Sequence, residues 1–527
     1  MAKPGSTPVS STSPSDPSAY LDAPYRTTAR PELRPSHLAT IGRMFGVATP
    51  DPSACSYLEL GCGDGGNLIP LAEQFPDSRF LGIDFAVDAV EKGRAVALQL
   101  GVTNITFICG DILSVDLDSR SFDFIACHGV FSWVAQPIRG RILSICAERL
   151  SPNGVAYISY NVLPGWRQRG VIRDVMTFGA SLAAKGKQGD DAGEERLESA
   201  ARFLALVSST RHEPNDTYGT YLKEAIARLQ HAEMSYLIHE YLEEHNTPFL
   251  FTEFSAAATT AGLKYLGDAK PTLMFTDDLG GAVDTFLRGL GDDVVKREQA
   301  IDFFRNRMFR ESLLCRGSAA PRQSVDLGAM RTLSFHTEYR SVVPAVDVPL
   351  EGIATFTDTL SRREVSVQGG EHARVLGVLG EIGPTGAIGA TLLERVRSTG
   401  ALTKLGEAQM YSLVYGLWRG GFVEASCVPA LCCSKVEGTV RASKYARLVA
   451  QESDFVPSLL HRMCPLSDLE RSVLIAADGS KSQEEMIAGV LVGETVVRGS
   501  EVLAAIGRLS ELGFFVRDAS VEPTKSR

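Results

Sequence analysis

Five short apolar runs recur in the first third of the chain: Tyr57–Leu60, Phe80–Ile83, Ile105–Cys109, Phe122–Cys127 and Val155–Ser159. They show little of the polar alternation of a half-exposed strand. Continuous apolar runs of this length fit strands buried on both faces, as in a parallel sheet. Between them the apolar spacing changes to that of a helix, most clearly at Val87–Leu100 and Ile138–Leu150. Alternating strands and helices predict a doubly wound α/β sheet, a Rossmann-like fold. Ahead of the first strand, Leu38, Ile41 and Phe45 fall at helical spacing and predict a helix over His37–Phe45.

The pattern changes at Trp166. From there to about Phe249 the chain is charged and rich in helix formers, as in Glu194–Val207 and Tyr221–Glu244, and reads as a helical insertion. Thr252–Ala261 (helix) and Leu263–Leu266 (strand) are placed to return to the same sheet, and Val283–Leu314 reads as helical again. Beyond Leu327 lies a separate region with an internal echo. Leu417-x3-Gly421-Phe422-Val423 recurs as Leu509-x3-Gly513-Phe514-Phe515, each ending an amphipathic helix with a Gly stop and a short strand. Such endings suit winged-helix-like α+β modules, although two short matches do not make a repeat. The expected organisation is a disordered Ser/Pro/Thr-rich tail over 1–19, an α/β domain over 20–163 with 252–276 as its completion, a helical middle domain over 164–326, and a C-terminal region over 327–527.

Composition narrows the function classes. With 53 Lys+Arg against 63 Asp+Glu, the net charge is −10, which argues against a protein built to neutralise nucleic-acid phosphates. No run approaches the ~18–20 apolar residues of a membrane helix. The Ser/Pro-rich start lacks the basic and apolar regions of a secretory signal, so a cytoplasmic, reduced setting is expected. The ten cysteines include no Cys-x-x-Cys pair, which speaks against a structural zinc site. His239-Glu240-x4-His245 lacks the zincin spacing, and Arg297, Arg305, Arg307 and Arg310 read as a solvated or salt-bridged helix face.

The candidate chemistry sits at strand ends. The first strand runs into Gly61-Cys62-Gly63-Asp64-Gly65-Gly66 and then a helix, a turn that lets a ligand approach the backbone and meet helix-start amides. Asp84 ends the second strand, where a Rossmann-type site holds a ribose, and Asp111 follows the third. Gly61, Gly63 and Gly66 satisfy Gly-x-Gly-x-x-Gly, so a nicotinamide dehydrogenase competes. Glu59 ahead of the turn and Asp64 within it are poor company for a pyrophosphate. Glu59 suits the ammonium of a zwitterionic ligand, and Asp111 an adenine amine. Together Glu59-Leu60-Gly61-Cys62-Gly63-Asp64-Gly65, Ile83-Asp84 and Gly110-Asp111 resemble the cofactor motifs of class I S-adenosylmethionine methyltransferases. On that reading Glu59, Gly61, Gly63, Gly65, Asp84 and Asp111, with His128, bind the cofactor.

The fourth and fifth strands end in Cys127-His128-Gly129-Val130-Phe131-Ser132-Trp133 and Ser159-Tyr160-Asn161-Val162-Leu163-Pro164-Gly165-Trp166. Methyl transfer is an in-line displacement that needs a neutral, aligned amine and a surface that tolerates a sulfonium. Tyr160 and Asn161 are the first choice as orienters of the acceptor amine. His128 reads as a base, or equally as a structural histidine holding its loop, and Trp133 as an aromatic wall or a core residue. The Asn/Asp-Pro-Pro-Tyr loop of enzymes that methylate nucleobase or glutamine amines is absent.

A wider resemblance extends from about Tyr20 to Val516. Arg34-Pro35-Ser36-His37-Leu38, His128-Gly129-Val130-Phe131-Ser132-Trp133, Ser159-Tyr160-Asn161-Val162-Leu163-Pro164-Gly165-Trp166, His239-Glu240-Tyr241-Leu242-Glu243, Asn246-Thr247-Pro248 and Arg307-Met308-Phe309-Arg310 resemble bacterial methyltransferases that carry a methyltransferase regulatory domain. The rickettsial outer-membrane-protein lysine methyltransferases are similar in layout. The resemblance implies a catalytic core, a helical regulatory domain and a C-terminal domain that helps hold a lysine-bearing protein substrate. The approach Tyr25-Arg26-Thr27-Thr28-Ala29-Arg30-Pro31 departs from the family's usual Tyr-Pro-rich start. It reads as a lid over the site or as a surface strap. A small-metabolite or peptide methyltransferase and a non-catalytic cofactor-binding scaffold are the competing functions.

Overall fold

A computed structural model describes residues 27–183, 190–211, 216–230, 232–322, 324–436, 438–489, 491–492, 495–496 and 498–517. The tail over 1–19 and the approach through Tyr25 and Arg26 lie outside the described residues. The apolar runs form β1 (Ser56–Leu60), β2 (Arg79–Asp84), β3 (Ile105–Cys109), β4 (Phe122–Cys127) and β5 (Leu150–Asn161). Helices α1 (Pro35–Met44), α2 (Leu68–Gln74), α3 (Val87–Leu100) and α4 (Gln136–Arg149) precede and separate them. The central strands β1 and β4 and the last eight residues of β5 are almost wholly buried because the sheet is covered on both faces, whereas in edge strand β3 only Phe107 is buried.

The chain then leaves the sheet for α5 (Trp166–Ser181), α6 (Asp190–Ser209), α7 (Thr217–Leu229) and α8 (Met234–Tyr241), which share their own small core around Met176, Leu204, Leu222 and Ile238. The helix-rich span Tyr221–Glu244 is divided between α7 and α8. The chain returns through α9 (Phe251–Thr260), β6 (Leu263–Asp268), α10 (Gly281–Gly289), α11 (Val294–Arg305) and β7 (Phe309–Arg316). The sheet has seven strands in the order β3-β2-β1-β4-β5-β7-β6, with β7 antiparallel to both neighbours.

Strand β7 corrects the reading of Val283–Leu314 as helical. Asn306 ends α11 in a left-handed conformation (φ 46°), and the next residues enter the sheet. Their charges disguised the strand. Arg310 is fully buried, its Nε 2.9 Å from Asp302 Oδ2 and its Nη2 2.9 Å from Glu298 Oε2, with the guanidinium 4.1 Å above the Phe251 ring. Arg307 pairs with Asp268. These two arginines are therefore not on a solvated helix face; they belong to a buried ion cluster that ties α11 to β6 and β7. Removing one partner of such a cluster costs about 3–5 kcal/mol, because it strands the other charge.

The C-terminal region is a set of helices and small sheets. One sheet joins Ala387–Ile388, Ser334–His336 and Glu424–Ser426, and another joins Glu364–Gln368, Ile353–Asp358 and Tyr339–Ser341. Its two echoed segments adopt one capping geometry. After helix Glu407–Arg419, Gly421 takes φ 75° and Phe422 N bonds Leu417 O; after helix Gly499–Glu511, Gly513 takes φ 75° and Phe514 N bonds Leu509 O.

This region is docked on the sheet domain. The Glu73 carboxylate of α2 accepts from the backbone N–H groups of Lys444 and Tyr445 (2.6 and 3.1 Å), serving the N-terminus of helix Lys444–Glu452. Thr40 Oγ1 of α1 accepts from Cys427 N at 2.8 Å. Among the described residues no helix is long and apolar enough to cross a membrane.

Candidate functional site

The glycine turn leaves β1 with Gly61, Gly63 and Gly65 at φ 76°, 52° and 76°, conformations open to glycine at little cost. Asp84, ending β2, braces this turn: its Oδ2 accepts from Gly63 N at 2.8 Å and its Oδ1 from Ala86 N at 3.0 Å. Burial, the largest influence, pushes its carboxyl upward, and these backbone N–H groups pull it back. Asp111, exposed beyond β3, accepts from Leu113 N at 2.9 Å.

The N-terminal segment straps this turn. Thr27 Oγ1 donates to Asp64 Oδ1 at 2.6 Å and accepts from Gly66 N at 2.7 Å. A side chain at Gly66 would put Cβ 2.0 Å from Thr27 O. The other Asp64 oxygen pairs with Lys92 at 3.0 Å, so Asp64 serves the strap and α3.

Glu59 lies almost fully buried under the turn, and burial pushes its carboxyl up to about 8. Its Oε2 accepts from Asn67 Nδ2 at 2.9 Å. Asn67 Oδ1 in turn lies 2.8 Å from His461 Nε2, brought from the hairpin between Phe455–Pro457 and Met463–Pro465. Neither Asn67 nor His461 was readable as a site residue, since their pairing spans 394 positions.

At the end of β4, His128 Nδ1 lies 2.8 Å from Tyr157 Oη, and Tyr157 Oη donates to Glu311 Oε1 at 2.7 Å. Glu311 Oε2 meets Lys270 Nζ at 2.8 Å, and Lys270 also reaches Glu32 at 3.4 Å. Burial first, then Arg30 and Lys270, holds the His128 imidazole well below its usual range and therefore neutral. Gly129 N donates to Ser159 Oγ at 2.9 Å, fixing the loop.

Along β5, Tyr157, Ser159 and Asn161 alternate with Ile158, Tyr160 and Val162, so the two sets face opposite sides of the sheet. His128 meets Tyr157 and Ser159. Tyr160 is on the other side, stacked on Phe254 (centroids 3.9 Å apart), with its hydroxyl 2.9 Å from Ser312 Oγ. The structure does not bring Tyr160 to His128; Tyr157, three residues earlier, is the tyrosine that meets it. Asn161 shares the His128 side, and its buried Nδ2 has no hydrogen-bond partner among the described residues. Trp133 packs edge to face on Trp166 (6.1 Å), which Arg169 covers at 5.4 Å. In the helical domain His239 Nδ1 lies 2.9 Å from Glu243, and Glu240 pairs with Arg169, so both side chains have structural partners.

Three carboxylates at or beside the carboxyl ends of β1, β2 and β3 suit a ligand carrying an ammonium, a ribose and an adenine amine. The residues fit S-adenosylmethionine, since Glu59 is a buried carboxyl whose ionised form a cationic ligand would favour. A seven-stranded sheet of this order, with a glycine turn and these acids, is that of a class I S-adenosylmethionine-dependent methyltransferase. Residues 51–199 match a methyltransferase domain, and residues 233–316 match the predicted methyltransferase regulatory domain.

The chain is 32% identical over 248 residues to the uncharacterized protein RP028 of Rickettsia prowazekii, covering 47% of this chain and 96% of that one. It is 35% identical over 300 residues to the uncharacterized protein RP789 of the same organism, covering 57% of this chain and 53% of RP789, so the match spans about half of that relative. The structure of PKMT2 from Rickettsia typhi in complex with AdoHcy superposes with a TM-score of 0.81 at 24% identity, covering 94% of this chain and 100% of that one. The chain belongs to the family of methyltransferases that carry a methyltransferase regulatory domain.

Proposed function

We propose that this chain transfers methyl groups from S-adenosylmethionine to lysine side chains of a protein substrate in the cytoplasm. The observation that carries the reading is the extent of the shared architecture. The likeness to PKMT2, a rickettsial protein lysine methyltransferase, covers 94% of this chain, so it takes in the helical and C-terminal regions as well as the sheet. Those regions supply the extra surface that a protein substrate can use, and the net charge of −10 suits a lysine-bearing partner. The domain division at residues 163 and 326 belongs to this reading, with the segment 252–276 completing the catalytic sheet and β7 joining it.

Glu59 receives the cofactor's ammonium, Asp84 its ribose and Asp111 its adenine amine, over the turn of Gly61, Gly63 and Gly65. The cofactor supplies an electrophilic methyl group on a sulfonium. His128 and Asn161 orient the acceptor amine from the ends of β4 and β5, with Trp133 walling the loop.

Incubation with isotopically labelled cofactor and cell lysate tests the proposal. Label in protein that hydrolyses to methyl-lysine supports it. Label confined to small molecules shifts the reading to a metabolite or peptide methyltransferase.

A further inference from the structure

The hydrogen-bonded chain from His128 to Lys270 joins β4, β5, β7 and the segment after β6, yet none of its members beyond His128 has a role in cofactor binding. Tyr157 is fully buried and Glu311 is 2% exposed, a costly place for a carboxylate unless it is used. We propose that Glu311, acting through Tyr157, locks the His128 imidazole in its Nδ1–H form and so presents Nε2 as a fixed lone pair that accepts an N–H of the incoming amine. This rests on the amine-methylating reading above. It adds Tyr157 and Glu311 as positioning residues.

The direction of each hydrogen bond follows from the next. Lys270 Nζ, 2.8 Å from Glu311 Oε2, favours the ionised form of a carboxyl that burial pushes upward. An ionised carboxylate only accepts, so the Tyr157 hydroxyl donates to Glu311 Oε1 (2.7 Å). With its one proton committed there, Tyr157 oxygen accepts from His128 Nδ1 at 2.8 Å. Nδ1 then carries the ring proton, and in a neutral imidazole Nε2 keeps its lone pair. Among the described residues Nε2 makes no hydrogen bond.

Such a lone pair orients an amine; it does not store a proton. Burial first, then Arg30 and Lys270, already disfavours the imidazolium. The sulfonium beside it, in a site shielded from water, disfavours the ammonium form of an acceptor lysine, whose proton therefore passes to water as it enters. In the transfer the N–C bond forms as the C–S bond breaks. The positive charge moves from sulfur to nitrogen, and the methylated ammonium later yields its proton to solvent.

Nitrogen NMR of protein labelled with 15N-histidine, with His128 assigned by its loss in His128→Gln, reads the tautomer directly. A protonated Nδ1 and an unprotonated Nε2 are expected in the wild type. In Tyr157→Phe the lock is gone and the Nε2–H form becomes substantially populated. A wild-type Nε2–H form, an imidazolium at neutral pH, or a Tyr157→Phe spectrum like that of the wild type overturns the proposal. The wild-type spectrum decides even if the variant does not fold. It needs neither cofactor nor substrate, so it stands apart from the lysate labelling. In turnover, Tyr157→Phe is expected to lower kcat by about 10–100-fold through misalignment, with affinity for S-adenosylhomocysteine within about twofold of wild type. An unchanged kcat with weakened cofactor binding overturns the positioning role.

Discussion

His461 Nε2 lies 2.8 Å from Asn67 Oδ1, and through Asn67 the C-terminal region reaches Glu59 beneath the glycine turn. The pair joins a hairpin of the C-terminal region to the N-terminal start of α2. Since Asn67 Nδ2 donates to the carboxyl of Glu59, its Oδ1 is the acceptor and His461 Nε2 the donor. His461 is held for this contact in a left-handed conformation (φ 62°), which a non-glycine residue adopts at a cost.

Replacing His461 is therefore expected to act in two places. His461→Ala leaves Asn67 Oδ1 buried without a donor, and stability falls by about 1–3 kcal/mol in denaturant titration. Affinity for S-adenosylhomocysteine drops severalfold in calorimetry because Glu59 loses its brace. His461→Gly recovers about 0.4–1 kcal/mol of the stability by relieving the backbone, with the affinity still reduced. Full affinity in both variants shows that the C-terminal region does not support the cofactor site.

Asp84→Ala removes the proposed ribose acceptor and also two backbone hydrogen bonds, from Gly63 and Ala86. Cofactor affinity is expected to fall by about 1.5–3 kcal/mol, roughly 10–150-fold. Asp84→Asn keeps one acceptor oxygen and falls between the two. Calorimetric affinity equal to wild type in the alanine variant refutes the assignment.

The pH dependence of binding follows from Glu59, whose carboxyl burial pushes up to about 8. A bound ammonium favours the carboxylate, so the pKa is lower in the complex than in the free protein. Binding then releases a proton below pH 8. Affinity is expected to rise from about pH 6 to about pH 8 and to level off above it. Calorimetry in buffers of different ionisation enthalpy measures the proton release. A Glu59→Gln variant with the same slope points to another group.

Tyr160 and Asn161 are adjacent in sequence and expected to differ in effect. Tyr160→Phe loses the bond to Ser312 inside the core and costs about 1–3 kcal/mol of stability with turnover largely kept. Asn161→Ala removes the unpartnered amide on the His128 side, and turnover falls with little change in stability. Denaturation curves beside labelled-cofactor assays separate the two. A turnover loss in Tyr160→Phe larger than in Asn161→Ala reverses the assignment.

The proposed cofactor half of the site was legible as a group of residues close in sequence at strand ends: Glu59, the glycine turn, Asp84 and Asp111. The first five strands were equally legible as apolar runs. The proposed acceptor half was not. Tyr157 and Glu311 meet across 154 positions, and Glu311 sits beside Arg310 in a strand whose charges suggest a helix surface. Tyr160 and Asn161 were the sequence candidates, and Tyr157 was not among them. Period-two alternation puts Tyr157, Ser159 and Asn161 on one face and was the available signal for the other choice. His461 had no local signal, since a histidine in a hairpin turn shows no partner until the fold closes.

The two antiparallel bonds of β7 also govern how the protein can be made. About 150 residues separate the end of β5 at Asn161 from the start of β7 at Phe309. At about 5–20 residues per second, a ribosome takes roughly 7–30 s to deliver them. Throughout that interval the outer edge of β5 has no strand beside it, and His128 and Tyr157 have no Glu311. The emerging chain thus holds an unpaired apolar strand edge for many seconds, the kind of surface that sticks to other nascent chains. The order of synthesis leaves that edge uncovered until β7, the strand that pairs with it, arrives.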